Sequence, residues 1–322
     1  MPDVGKELTL LPEDISPEDL KALYEEIGAT PASLKRDAAA LREWVNAEPH
    51  LPNLTSEHDL WLETFLMAGK NSMEKAKVRL DNYFSQRTEL GDWFRLPPPP
   101  KDRQLADDSE FMAGGISPKL LPGGLVMLID SAVIPPDGNW SRFDLVAHYQ
   151  RALLYSDALM GESKKIRGLV YVLDQKTINL NVLTTFLGSV ASFRKVMACA
   201  QEAQPMRVHS IHLANATAPS LQRMLLGAIT PMLKGKLAQR IYIHSDNASL
   251  HKHIPPQCLP EAYGGTCKFT LESLSTDLCN YILSKRDWYE SRMWMKSDES
   301  RRAVKKSSDL GMEGSFRKLA VD

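Results

Sequence analysis

Apolar positions recur at helical spacing early in the chain and later give way to short unbroken runs. Between Ala32 and Glu48, Leu34, Leu41, Trp44 and Val45 fall on one helical face, and Pro49 ends that helix. Leu60, Trp61, Thr64, Phe65 and Leu66 mark another helix, opened by Thr55-Ser56-Glu57. Ala76, Leu80, Tyr83 and Phe84 mark a further one, capped by Asn71-Ser72. Ahead of these, Ser16-Pro17-Glu18 supplies an N-cap, a proline at the first helical position and a first-turn acid. No strand pattern interrupts these helices, and the prolines at 97–100 form a stiff, extended break that suits a boundary.

Beyond that break the period changes. Leu125 to Ile129, Leu169 to Leu173, Ile211 to Leu213 and Ile241 to Ile243 are short apolar runs. Helical segments separate them: Asp144 to Met160, Val182 to Ala203 and Thr217 to Leu237. Buried strands alternating with helices predict an α/β domain with a mostly parallel sheet. Gly114-Gly115 and Gly123-Gly124 read as turns. The mixed basic and acidic residues from Lys285 to Lys306 read as a solvated helix followed by a tail. The expected organisation is a helical lobe over 1–100, the α/β domain over 101–280, and a C-terminal helix and tail over 281–322.

Charge removes several functions. Lys+Arg 39 against Asp+Glu 40 leaves a net charge of -1, so the basic excess of a nucleic-acid binder is missing. With 43% hydrophobic and 25% charged residues the chain resembles a soluble globular protein. No apolar run approaches the roughly 20 residues of a membrane span. The N-terminal residues lack a signal layout, and Pro2 stands where myristoylation requires glycine. Four cysteines without CxxC spacing read as free thiols, so a cytoplasmic location is expected.

Enzyme signatures are missing as well: there is no GxGxxG after a strand, no GxxxxGK[ST] and no GxSxG. His244, His251 and His253 have a suggestive spacing, but no carboxylate or cysteine pattern joins them, so no metal and no cofactor are expected. His212 and His244 are expected to serve structural hydrogen bonds.

The stretch Leu259-Pro260-Glu261-Ala262-Tyr263-Gly264-Gly265 resembles the Leu-Pro-x-x-Tyr-Gly-Gly signature of the CRAL-TRIO (Sec14-like) lipid-binding family. Upstream, Gly168 to Asp174 is similar to that family's Asn-Gly-x-x-x-x-x-Asp strand, with Arg167 in place of asparagine. Pro205 to Asn215 resembles its Pro-x-[Lys/Arg]-[Val/Ile]-x-x-Ile-His segment, and Pro231 to His244 its Lys-Pro-Phe-Leu segment and following strand. Phe65 to Arg87 resembles the helical N-terminal lobe. The closing residues Gly311 to Asp322 resemble the tail of an insect branch related to the tocopherol and retinaldehyde carriers.

The resemblance implies a carrier that is not an enzyme and holds one hydrophobic ligand, such as a tocopherol, retinoid, carotenoid or other isoprenoid, under a mobile gate helix. The gate falls on Thr217 to Leu233, with Leu221, Leu225 and Ile229 facing the ligand. Tyr149, Ala152 and Ser156 are implied wall positions on the preceding helix, Ser156 either meeting a ligand hydroxyl or bonding its own helix. Leu169 and Leu173 would face inward from their strand. Phe186, Val190, Val196 and Cys199, then Met206 and Ile211, complete the implied wall. A phosphoinositide-binding cluster is implied at Arg207, His209, Lys236 and Arg240. It is weakened because His209 replaces arginine, Thr230 replaces lysine, and Met67 and Gly69 replace two lobe arginines. Transient membrane contact and a monomer are expected. Three alternatives stay open: an interaction module on a lipid-binding fold, phosphatidylinositol-type exchange, and an enzyme acting on an apolar ligand.

Overall fold

The structure is a computed structural model that describes residues 11–303. Its N-terminal lobe contains α1 (Pro17–Ile27), α2 (Pro31–Ala47), α3 (Asp59–Ala68) and α4 (Met73–Glu89), with α5 (Lys101–Ala106) after the proline run. The caps follow the sequence. The Ser16 side chain accepts from the Asp19 N–H, and Thr30 forms a reciprocal capping box with Ser33.

Five strands form one sheet in the order β1-β2-β3-β4-β5: Met112–Ile116, Leu125–Ala132, Gly168–Asp174, Val208–Ala214 and Ile241–Ile243. β1 runs antiparallel to β2, and the other pairs are parallel. Each parallel step advances to the next strand in the same direction. Right-handed crossovers therefore place all the connecting helices on one face. These are α6 (Leu145–Gly161), α7 (Leu180–Gly188), α8 (Val190–Ala198), α9 (Pro219–Ile229) and α10 (Gly235–Ala238).

The opposite face is closed by a different stretch. α11 (Asn247–His251) and the residues after it pack Leu250, Ile254, Leu259 and Tyr263 against Met127, Ile129, Val170 and Val172. α12 (Leu271–Ser284) lies along β1, and α13 (Arg286–Ser291) follows. Lobe and sheet share one core, in which Leu34, Leu62 and Leu80 belong to the same cluster as Val126, Leu154 and Leu278.

Three expectations change. Gly114 and Gly115 are not a turn but the middle of β1, with φ 150 and 156. A Cβ on Gly114 would lie 2.0 Å from the Ile129 carbonyl oxygen, so the close strand pairing needs glycine there. The segment expected as one helix from Val182 to Ala203 is two helices bent by 67° at Gly188-Ser189, ending in a π-helical turn at Cys199–Ala203.

The basic C-terminal stretch is not a solvated helix. Tyr289 and Met295 are fully buried, Ser297 bonds the Phe84 carbonyl, and Arg302 makes bonds of 2.7 and 3.0 Å to the Asp81 carboxylate of α4. The resemblance at Gly311 to Asp322 lies outside the described residues.

Candidate ligand-binding cavity

Between the sheet and the crossover helices lies a cavity of about 290 Å³ with a largely apolar wall. The β2–β3 register sets its floor. Leu128 stands beside Tyr171 and Asp130 beside Leu173, all on the helix-facing side, while Met127 and Val170 face away. α6 supplies a wall through a stripe at helical spacing, Leu145, His148, Tyr149, Ala152 and Ser156. α9 covers the opening with Leu225 and Ile229.

Nine expected wall residues line this cavity: Tyr149, Ala152 and Ser156; Leu173 and Ile211; Phe186 and Val196; Leu225 and Ile229. Five do not. Leu169 shares the floor's face but lies at the start of β3, beyond a register irregularity, where it packs into the lobe core with Met206. Cys199 is buried beneath α8 against Leu90 and Phe94, where burial raises its thiol pKa to about 12. Val190 lies just past the bend between α7 and α8, and Leu221 is half-buried on the flank of α9; neither reaches the cavity. Ser156 makes no hydrogen bond to its own helix among the described residues, which leaves its hydroxyl available to the cavity.

Sequence reasoning missed the polar part of the wall. Asp130, His148, Gln175 and Gln204 all line the cavity. The Tyr149 hydroxyl, Gln175 Oε1 and Gln204 Nε2 are buried without a partner among the described residues. The available signal for His148 was its place on the same helical face as Tyr149 and Ala152. Burial raises the Asp130 pKa against the opposing influence of His148 and Arg151.

Both ends of the segment that carries α9 are tied by side chains. At its start, Asn215 adopts φ 52 and donates to Asp174 Oδ1 at 3.0 Å, while the Tyr263 hydroxyl donates to Asp174 Oδ2 at 3.0 Å. At its end, Gln201 donates to the Met232 carbonyl at 2.9 Å and accepts from the Lys234 N–H at 2.8 Å. The Leu-Pro-x-x-Tyr-Gly-Gly stretch thus brings the Tyr263 hydroxyl to the carboxylate that also holds Asn215. A Cβ on Gly265 would lie 2.0 Å from the Leu259 carbonyl oxygen, so only glycine lets the loop close. Between its ties α9 is held loosely, with only Gln222 and Ile229 buried.

The basic positions lie elsewhere. Arg207 and His209 stand at the start of β4, and Arg240 stands just before β5. Burial lowers the His209 pKa, and Arg167 and Arg240 lower it further. Glu26 of α1 pairs with Arg167 at 2.7 Å and with Arg207 at 3.4 Å, offsetting part of the positive charge. Lys236 is exposed on α10.

His212 and His244 are hydrogen-bonded to each other at 2.9 Å on the sheet face away from the cavity, with His253 beside them. His251 instead faces the Tyr263 carbonyl oxygen at 2.8 Å. Among the described residues no group of three or more histidine, cysteine or acidic side chains is arranged to hold a metal ion. No single described helix is long and apolar enough to cross a membrane.

Residues 142–265 match the CRAL/TRIO domain family, and residues 30–99 match the Pinta-like, UBA domain family. The alpha-tocopherol transfer protein-like protein of Homo sapiens is 32% identical over 248 residues, spanning 75% of this chain and 68% of that protein. Clavesin-2 of Rattus norvegicus is 28% identical over 264 residues, 80% of this chain and 77% of its own length. Clavesin-1 of Xenopus laevis is 27% identical over 266 residues, 80% and 76% of the two lengths. Taken with a one-sided α/β cavity covered by α9, this extent of identity makes the chain a member of the CRAL-TRIO family.

Proposed function

We propose that this protein binds one hydrophobic molecule in the cavity and exchanges it at a membrane surface by swinging α9 about its two polar ties. The observation that carries this reading is the apolar cavity roofed by a lightly held helix. An exposed hydrocarbon costs about 0.8 kcal/mol per CH₂ in water, so a dry apolar pocket supplies affinity without any specific contact. A closed roof would trap the ligand, and the few buried residues of α9 keep the cost of opening low.

The volume, about 290 Å³, lies at the small end of the roughly 300–1,000 Å³ typical of ligand sites. It favours a single isoprenoid-like body over a two-chain phospholipid. Family membership and the resemblance to an alpha-tocopherol transfer protein-like protein support the same class. Leu180, Leu187 and Met224, exposed on α7 and α9, are the surface that would enter the bilayer. Arg207, His209, Lys236 and Arg240 would contact acidic headgroups weakly, since Glu26 already engages Arg207. No bond is made or broken in this cycle.

Native mass spectrometry of protein purified from its own tissue, followed by solvent extraction, tests the proposal. One apolar species near one per chain is expected. An empty protein that also takes up no tocopherol, retinoid, carotenoid or phosphatidylinositol would refute the carrier reading and favour an interaction module.

A further inference from the structure

One part of the cavity wall is built unlike the rest. On the floor, Asp130 projects from β2 toward α6, where His148 and Tyr149 stand side by side. Behind them the Asp108 carboxylate lies 2.6 Å from His148 Nδ1 and 2.6 Å from Arg151 Nη2. That contact fixes the imidazole, because the nitrogen facing a carboxylate carries the proton and the other, Nε2, faces the cavity. His148 Nε2 is 3.8 Å from Asp130 Oδ2, too far for a direct hydrogen bond. A single oxygen placed about 2.8 Å from each would touch both, with an angle of about 85° between the two contacts.

We propose that the cavity selects an alcohol, an apolar body whose hydroxyl is seated between Asp130 and His148 Nε2. This rests on the carrier reading and names the ligand class within it. Arg151 lies against the Asp108 carboxylate, and burial favours the protonated form of Asp130. In that form the carboxyl donates, while Nε2 of His148, whose Nδ1 faces Asp108, accepts. A hydroxyl is the simplest partner that both accepts and donates. An ether or ester oxygen only accepts, so it leaves one buried group unsatisfied. A carboxylate also only accepts, so it sets two acceptors against each other at Nε2. The buried, unpartnered Tyr149 hydroxyl on the neighbouring position of α6 offers the same oxygen a second contact. The apolar remainder of the wall leaves the rest of the molecule to be recognised by shape.

The test compares matched probes on the full chain: retinol, its methyl ether and retinoic acid, and then hexadecanol, hexadecyl methyl ether and hexadecanoate. In at least one series the alcohol is expected to bind about 10- to 100-fold more tightly than its ether and its acid, the range set by one unsatisfied buried group. Asp130→Leu is expected to bring the alcohol-to-ether ratio toward one. Equal affinity for alcohol and ether in the unaltered protein, or tighter binding of the acid, would overturn this inference while leaving the carrier reading intact. Failure to bind any of the six would overturn both. If Asp130→Leu does not fold, the unaltered protein's ranking decides alone, and a Tyr149→Phe variant that lowers alcohol affinity but not ether affinity supplies the second measurement.

Discussion

Replacing Arg87 by methionine is expected to destabilise the protein by about 3–5 kcal/mol, a large part of the roughly 5–15 kcal/mol that holds a typical native state. Arg87 and Asp157 are 4% and 1% exposed. The guanidinium donates to Asp157 Oδ2 at 2.6 Å, to the Met295 carbonyl at 3.0 Å and to the Arg292 carbonyl at 3.2 Å. The Tyr83 hydroxyl donates to the other carboxylate oxygen at 2.6 Å. One cation therefore joins α4, α6 and the C-terminal stretch, and it sets the rotation of the helix whose other face lines the cavity.

Removing Arg87 leaves the Asp157 charge buried with a single neutral donor. Removing Asp157 leaves a buried guanidinium with two carbonyls and the Tyr83 hydroxyl at 3.4 Å. The double change, Arg87→Met with Asp157→Leu, eliminates both charges and strands only the Tyr83 hydroxyl and the two carbonyls that Arg87→Met alone already strands, so no unpaired charge is left buried. Its cost is expected to fall at least 2 kcal/mol below the sum of the single changes. Urea unfolding followed by circular dichroism measures all four proteins, and the shared core makes lobe and sheet unfold together. Additive costs, or a single-change cost under 1 kcal/mol, would refute the argument.

Three further outcomes follow from the structure. Tyr263→Phe removes the hydroxyl that holds Asp174, so it is expected to lower stability by about 1–3 kcal/mol and to speed ligand release in stopped-flow transfer to vesicles; an unchanged release rate would leave Tyr263 a framework residue only. Burial, then His244 and His253, lower the His212 pKa to about 3. The unfolded chain takes that proton near pH 6.5 and the folded one only near 3, so stability is complete above 6.5 and declines as pH falls between those values. From pH 6.5 to 5, His212→Asn is expected to lose about 2 kcal/mol less than the unaltered protein in urea titrations. Ellman's reagent is expected to label one thiol quickly in the native state, because burial raises the pKa of Cys199, Cys258 and Cys279, whereas Cys267 is only half-buried.

Much of the fold was legible because it rests on local signals. Ser16 and Ser72 cap the helices they precede, and the apolar runs became β2 to β5 within a few residues. The errors came where long-range contact overrode local preference. Gly114 looks like a turn residue until β2 presses its backbone against it, and Arg302 looks solvated until Asp81, 221 residues away, is folded beside it. Periodicity gives the face a residue points to but not where along a strand the cavity stops. That is why Leu169 and Leu173, on one face of one strand, end up in different cores.

The polar wall was hidden for a related reason. Asp130 directly follows the run Leu125 to Ile129, and a charged residue after an apolar run ordinarily marks the end of a strand. Here β2 continues to Ala132 and carries the carboxyl onto the cavity floor. The groups that make such a burial tolerable come from Asp108 before the sheet and from His148 and Arg151 on α6, positions no local window joins. A buried carboxyl in an otherwise apolar wall is costly unless its surroundings answer it. The 3.8 Å gap to His148 leaves that answer incomplete within the chain. The apolar wall fixes how much ligand can be buried, and the unclosed gap marks where its polar atom has to sit.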